Sequence, residues 1–126
     1  MNPADKRDPL TYKIIGAAIE VHRILGAGLL ENVYEDALCI ELAERGLSFE
    51  RHQRLEINYK GHDIGDLYVD IIVEGRVIVE LKSVRELAPI HKAQLMTYLR
   101  VSNLGLGLLI NFNVPNFAQG VQRVVL

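Results

Sequence analysis

The sequence predicts an α/β domain in which helices cover one β-sheet. Three observations lead there. Two stretches near the start repeat apolar residues at helical spacing. Residues 70–82 form two β-branched runs joined by a short polar turn. A third helical stretch then separates those runs from two more short apolar ones, so strands and helices alternate in the second half. With 126 residues, 49% hydrophobic and 24% charged, the chain has the composition of an ordinary globular protein and enough length to bury a core.

Residues 1–10 are polar and charged and are expected to form a flexible tail, with one domain over 11–126. The tail has no apolar centre, so it does not read as a signal peptide. Thr11 is placed to cap a helix from Tyr12 to Leu25, with Ile14, Ala18, Val21 and Leu25 as its apolar stripe. Gly26-Ala27-Gly28 breaks it. A second helix is expected from about Leu30 to Arg45, packing on the first through Val33, Ala37, Ile40 and Leu42, with Gly46 ending it. Leu55, Ile57 and Tyr59 alternate with polar residues as in a half-buried strand, and Lys60-Gly61-His62-Asp63 reads as a turn. The 70–82 hairpin follows. Pro89 suits the first turn of a third helix running to about Ser102. Leu106 to Phe112 is a buried strand, and Val121 to Leu126 is a last one whose edge could pair with another chain.

The hairpin Asp70-Ile71-Ile72-Val73-Glu74-Gly75-Arg76-Val77-Ile78-Val79-Glu80-Leu81-Lys82 carries three charged residues in otherwise apolar arms: Asp70, Glu80 and Lys82. Glu80 and Lys82 are two apart and point to one face of a strand. The turn decides whether Asp70 joins them. A two-residue loop at Glu74-Gly75 would leave Asp70 and Glu80 on opposite faces. A three-residue loop, with Gly75 free to take positive φ, sets Asp70 directly opposite Glu80, with Cβ atoms about 5 Å apart. Opposed carboxylates repel unless a cation sits between them, and Mg²⁺ prefers such oxygen ligands. Lys82 could then orient a metal-bound water or balance charge on a phosphate. The plain alternative is an exposed Glu80–Lys82 pair on a solvated sheet face, with Asp70 incidental.

Two further constellations lie on helices. His91, Gln94 and Tyr98 share one stripe of the third helix, leaving Ala93, Met96 and Leu99 to pack on the sheet. Such a stripe could hold a phosphate or orient a metal-bound carboxylate, or it could be a partly exposed polar face. Glu31 lies in the first turn of the second helix, one turn before Tyr34 and Glu35. There it serves either as a cap favoured by the helix dipole or as an extra metal or water ligand. Other chemistry is poorly supported. The net charge of −2 gives no basic field to attract nucleic acid, so such binding needs a local patch or a metal. Cys39 is the only cysteine, and His22, His52 and His62 have no ligand-like spacing. The glycines at 26 and 28 follow no strand, so they cradle no phosphate. Val101 to Gln122 carries no charge, but its polar residues, glycines and Pro115 rule out a membrane span, and a reducing cytoplasm is the expected location.

The spacing from Asp70 to Glu80-Leu81-Lys82 resembles the D-x(n)-E-x-K core of the PD-(D/E)XK nuclease superfamily, with Val69 where the name has Pro. Gln94-Leu95-Met96-Thr97-Tyr98 resembles the Q-x-x-x-Y element of its RecB-like branch. Gly28-Leu29-Leu30-Glu31-Asn32-Val33-Tyr34, Val79-Glu80-Leu81-Lys82-Ser83-Val84, His91-Lys92-Ala93-Gln94-Leu95 and Gly107-Leu108-Leu109-Ile110-Asn111-Phe112 together resemble the small GxxExxY proteins of that superfamily. The likeness runs from about Tyr12 to Val125. It implies a restriction-endonuclease-like core, a central mixed β-sheet flanked by helices, with the acid and the E-x-K on adjacent strands. It implies catalytic roles for Glu31, Asp70, Glu80, Lys82, Gln94 and Tyr98. Asp70, Glu80 and the Leu81 carbonyl would bind Mg²⁺, or Mn²⁺ in its place, with Glu31 as a further candidate ligand. Lys82 would activate water, and Gln94 and Tyr98 would organise the site or touch the phosphodiester. The implied activity is hydrolysis of DNA, by a homodimer because so small a chain offers little surface to grip a duplex. The superfamily also contains inactive members, so the other reading is a non-catalytic module that binds nucleic acid or a protein partner.

Overall fold

The computed structural model describes residues 8–126, so most of the expected tail lies outside the described residues. The first helix, α1 (Pro9–Leu25), begins earlier than expected. Asp8, not Thr11, caps it: the Asp8 carboxylate accepts from the Leu10 and Thr11 amides at 3.0 and 3.2 Å. Pro9 fits the first helical position because it has no amide to leave unpaired. Thr11 is buried, its hydroxyl donating to the Asp8 carbonyl at 3.0 Å. Gly26, at φ 70°, ends the helix.

The second helix, α2 (Glu31–Glu44), packs on α1 with a rotated stripe. Tyr34, Glu35, Leu38, Cys39 and Leu42 face inward. Val33 and Ile40, expected inside, are 38% and 62% exposed. Strand β1 (Phe49–Tyr59) turns at Lys60-Gly61, both at positive φ, into β2 (His62–Val73). His62 and Asp63 therefore belong to the strand, and β2 starts well before Asp70. The next turn is the three-residue Glu74-Gly75-Arg76, with φ of 53° at Glu74 and 63° at Gly75. It pairs Val73 with Val77, Ile72 with Ile78 and Ile71 with Val79 on strand β3 (Val77–Lys82).

Helix α3 (Pro89–Ser102) carries the chain over to β4 (Leu106–Asn111), which runs parallel to β3. A short 3₁₀ turn, Phe117–Gly120, leads into β5 (Val121–Val125), antiparallel to β4. The sheet is mixed, with strand order β1-β2-β3-β4-β5, so the apolar β3 and β4 lie at its centre with both faces covered. Helices α1 and α2 cover one face, over Ile71, Val73, Val77, Val79, Leu81, Leu108, Ile110 and Phe112. Helix α3 covers the other through Leu95, Tyr98 and Leu99, over Val69, Ile72, Ile78, Leu109 and Val124. Leu95 takes the sheet-facing position expected for Ala93, which is exposed.

Candidate active site

The β2–β3 register continues from Ile71↔Val79 to set Asp70 opposite Glu80. At that point backbone pairing gives way to a reciprocal side-chain exchange. The Asp70 amide donates to Glu80 Oε1 and the Leu81 amide donates to Asp70 Oδ2, both at 2.9 Å. Each carboxylate is thus seated by the other strand's backbone. Among the described residues, Asp70 Oδ1 and Glu80 Oε2 take no hydrogen bond, and neither acid has an ion pair.

Glu80 is 5% exposed. Burial, and next the negative charge of Asp70, push its carboxyl up to about 8, with the Asp70 backbone and Lys82 pulling the other way. Burial also raises Asp70, and the Leu81 amide opposes it. A buried Glu80 and a half-buried Asp70, both resisting ionisation, leave a demand for positive charge between the strands.

Lys82, half-buried at the end of β3, lowers the proton affinity of Glu31, Asp70 and Glu80 against the dominant effect of burial. Glu31 opens α2, and its carboxylate makes no capping bond: the N-cap is Leu30, with no side-chain contact. Its position is fixed from below by Tyr34, which is fully buried and stacked on Phe112 at 4.6 Å. The Tyr34 hydroxyl donates to the Gly26 carbonyl at 2.5 Å and accepts from the Leu29 amide at 3.1 Å. Ser83, just past Lys82, donates to the Leu29 carbonyl at 2.5 Å. The turn that presents Glu31 is therefore tied to the end of β3. Glu31 and Asp70 line one open pocket of about 530 Å³ together with Asn32, Glu35 and His52.

On α3, Tyr98 is buried against the sheet, and Glu80 and Asp70 act on its hydroxyl through their charge, adding to the upward push of burial. Gln94, one turn earlier, is exposed and makes no hydrogen bond among the described residues. His91 is occupied as a cap: its Nδ1 accepts from the Ala88 amide at 3.0 Å. Placement on one helical stripe thus hides three different environments.

Sequence reasoning missed two contributors. Glu35, in the core-facing stripe of α2, receives Arg51 and His52 from β1 beside Asp70. The i,i+4 spacing from Glu31 was the available signal. Asn111, in register with Lys82, is buried and clamps the loop after β3, accepting from the Val84 amide at 3.1 Å and donating to its carbonyl at 2.9 Å.

The model of the PD-(D/E)XK nuclease superfamily matches residues 8–124. The chain belongs to that superfamily. The nucleases of that superfamily act on nucleic acid and generally use divalent metal ions. No curated protein and no solved structure matches the chain. Among the described residues, no group of three or more His, Cys, Asp or Glu side chains is arranged to hold a metal. The paired acids still fit a hard cation, because Mg²⁺ needs only one or two carboxylates and keeps waters in its other positions. No helix among the described residues is long and apolar enough to cross a membrane.

Proposed function

We propose that the chain is a Mg²⁺-dependent nuclease that hydrolyses DNA phosphodiester bonds, one of the GxxExxY proteins of the RecB-like branch. The observation that carries this reading is the reciprocal seating of Asp70 and Glu80, which leaves one free oxygen on each acid at a site short of positive charge. Those oxygens and the Leu81 carbonyl are the proposed metal ligands, with Mn²⁺ an acceptable substitute. When bound, the ion supplies charge stabilisation for the phosphate and lowers the proton affinity of its water. Lys82 orients the attacking water and neutralises a phosphate oxygen. Glu31 orders water from across the pocket, Tyr98 supports Glu80 from α3, and Gln94 meets the nucleic acid. A homodimer supplies the surface that a duplex needs, and the protein works in the cytoplasm.

Labelled single-stranded, duplex and branched DNA, with RNA as a comparison, test the reading in Mg²⁺ or Mn²⁺ against EDTA. Cleavage should require metal. It should fall about 10²–10³-fold in Lys82→Ala, the usual cost of removing one charge-stabilising donor, while the thermal midpoint is kept. Salt-sensitive binding without cleavage under any metal would overturn the enzyme reading and identify an inactive nuclease-fold module.

A further inference from the structure

The row of paired residues that holds the two acids continues across the sheet. Glu80 on β3 pairs with Leu109 on β4, and Leu109 pairs with Gln122 on β5. Residues paired across a ladder share a face. Leu109 packs under α3, so Glu80, Asp70 opposite it and Gln122 all belong to the α3 face. Neighbouring strands lie about 4.8 Å apart, which puts Gln122 roughly 10 Å from Glu80. Buried Leu109 fills the position between them. Beyond it, the start of α3 and the edge strand β5 leave a cleft of about 600 Å³, lined among others by Leu87, Pro89, Lys92, Gln122 and Arg123.

The lining has the chemistry of a nucleotide site. Leu87 and Pro89 offer apolar surface to a base. The Gln122 amide is exposed and makes no side-chain hydrogen bond among the described residues, so its donor and acceptor are both open to a base edge. Lys92 is exposed, has no ion pair among the described residues, and offers its charge to a phosphate. No acid lines this cleft. The pocket on the far side of the acids is the opposite case: Glu31, Glu35, Asp36 and Asp70 line it, and its Arg51 is taken by Glu35 and Asp36. A polyanion held at Asp70 and Glu80 is therefore drawn toward β5 and away from β1.

We propose that the cleft between α3 and β5 is a subsite for an unpaired nucleotide of the bound DNA strand, with Gln122 reading the base edge and Lys92 holding a phosphate. Roughly 10 Å is about three steps at the 3.4 Å rise of a stacked strand, and fewer when the strand is extended. The occupant therefore lies within about three nucleotides of the scissile phosphate. A base that is stacked and paired in a duplex does not reach such a cleft, so the strand is single on the β5 side. A side-chain amide matches the adjacent donor and acceptor of adenine, which makes adenine the expected base. The proposal takes its scissile phosphate from the nuclease reading, while the cleft itself needs no metal.

Fluorescence anisotropy in EDTA measures the binding of short labelled oligo(dA), oligo(dT) and a blunt duplex, and cleavage of the same DNA is followed in Mg²⁺. The wild type should bind oligo(dA) most tightly and the duplex least. Gln122→Ala should weaken oligo(dA) about 5–100-fold, the range for a bidentate amide–adenine contact, and oligo(dT) little. Lys92→Ala should weaken both single strands alike and reduce the salt slope by about 0.7, the share of one phosphate. Both variants change exposed side chains, so their thermal midpoints should match the wild type. Oligo(dA) bound no better than oligo(dT) or duplex, or bound undiminished by Gln122→Ala, overturns the subsite, even where Mg²⁺-dependent cleavage is seen. Gln122-dependent binding without cleavage under any metal overturns the nuclease reading instead and keeps the subsite.

Discussion

Replacing Glu80 with Gln should make the metal-free protein more stable as pH rises. In the unfolded chain this carboxyl releases its proton near the ordinary 4.5, whereas the folded chain holds it to about 8, chiefly through burial and then through Asp70. Between those values the folded state binds the extra proton, so stability is fully present below about pH 4.5, falls as pH rises toward 8, and stays level above. The displacement sets a ceiling of about 5 kcal/mol. Asp70, also raised by burial, adds in the same direction. At about 3–5 °C per kcal/mol for a chain of this size, the wild-type midpoint in EDTA should drop about 10 °C or more between pH 5 and pH 8. Glu80→Gln has no proton to release and keeps an acceptor for the Asp70 amide, so its curve should lack that drop. Mg²⁺ at about 100 times its dissociation constant should restore about 2.7 kcal/mol to the wild type at pH 8 and nothing to the variant. Calorimetry from pH 5 to pH 9, with and without Mg²⁺, measures all four curves. Parallel curves for wild type and variant in EDTA would refute the picture of a buried Glu80 repelled by its neighbour Asp70.

Other expected outcomes follow from single contacts. Tyr34→Phe removes the hydroxyl that holds Gly26 and Leu29, and should cost about 1–3 kcal/mol in urea denaturation. Gly120→Ala places a Cβ 2.1 Å from the Asn111 carbonyl oxygen, a backbone atom that cannot retreat, and should cost about 3 kcal/mol or more, read as lost soluble yield or a lowered midpoint. Gln94→Ala, at an exposed position, should change stability by less than about 0.5 kcal/mol while weakening DNA binding or cleavage. Unchanged cleavage would remove Gln94 from the site.

The opposition of Asp70 and Glu80 was legible because Gly75 permits the one turn length that creates it, and the β-branched arms leave little doubt about the strands. The inward face of α2 was not legible. Val33 and Ile40 are apolar but exposed, and apolar character does not by itself mark burial. The first half of β2 carries Asp63, Gly65, Asp66 and Tyr68, turn-like or exposed residues held in the strand by backbone pairing with β1. Helical spacing grouped His91, Gln94 and Tyr98, but the roll of α3 buries Tyr98, exposes Gln94 and leaves His91 to its cap. His52, left-handed at φ 52°, gave no warning, since nothing in its local sequence calls for that conformation; its ring lies 2.8 Å from Glu35 on another element.

The crossed seating of the two acids bears on how the chain can change over generations. The shorter side chain, on β2, reaches the Leu81 amide, and the longer one, on β3, reaches the Asp70 amide, so each arm length is matched to its own span. Asp70→Glu would disturb only the grip on the Leu81 amide, and Glu80→Asp only the grip on the Asp70 amide, although both preserve charge. Each arm length therefore answers to a backbone amide of the opposite strand, and a change at one position is not repaired by a change at the other.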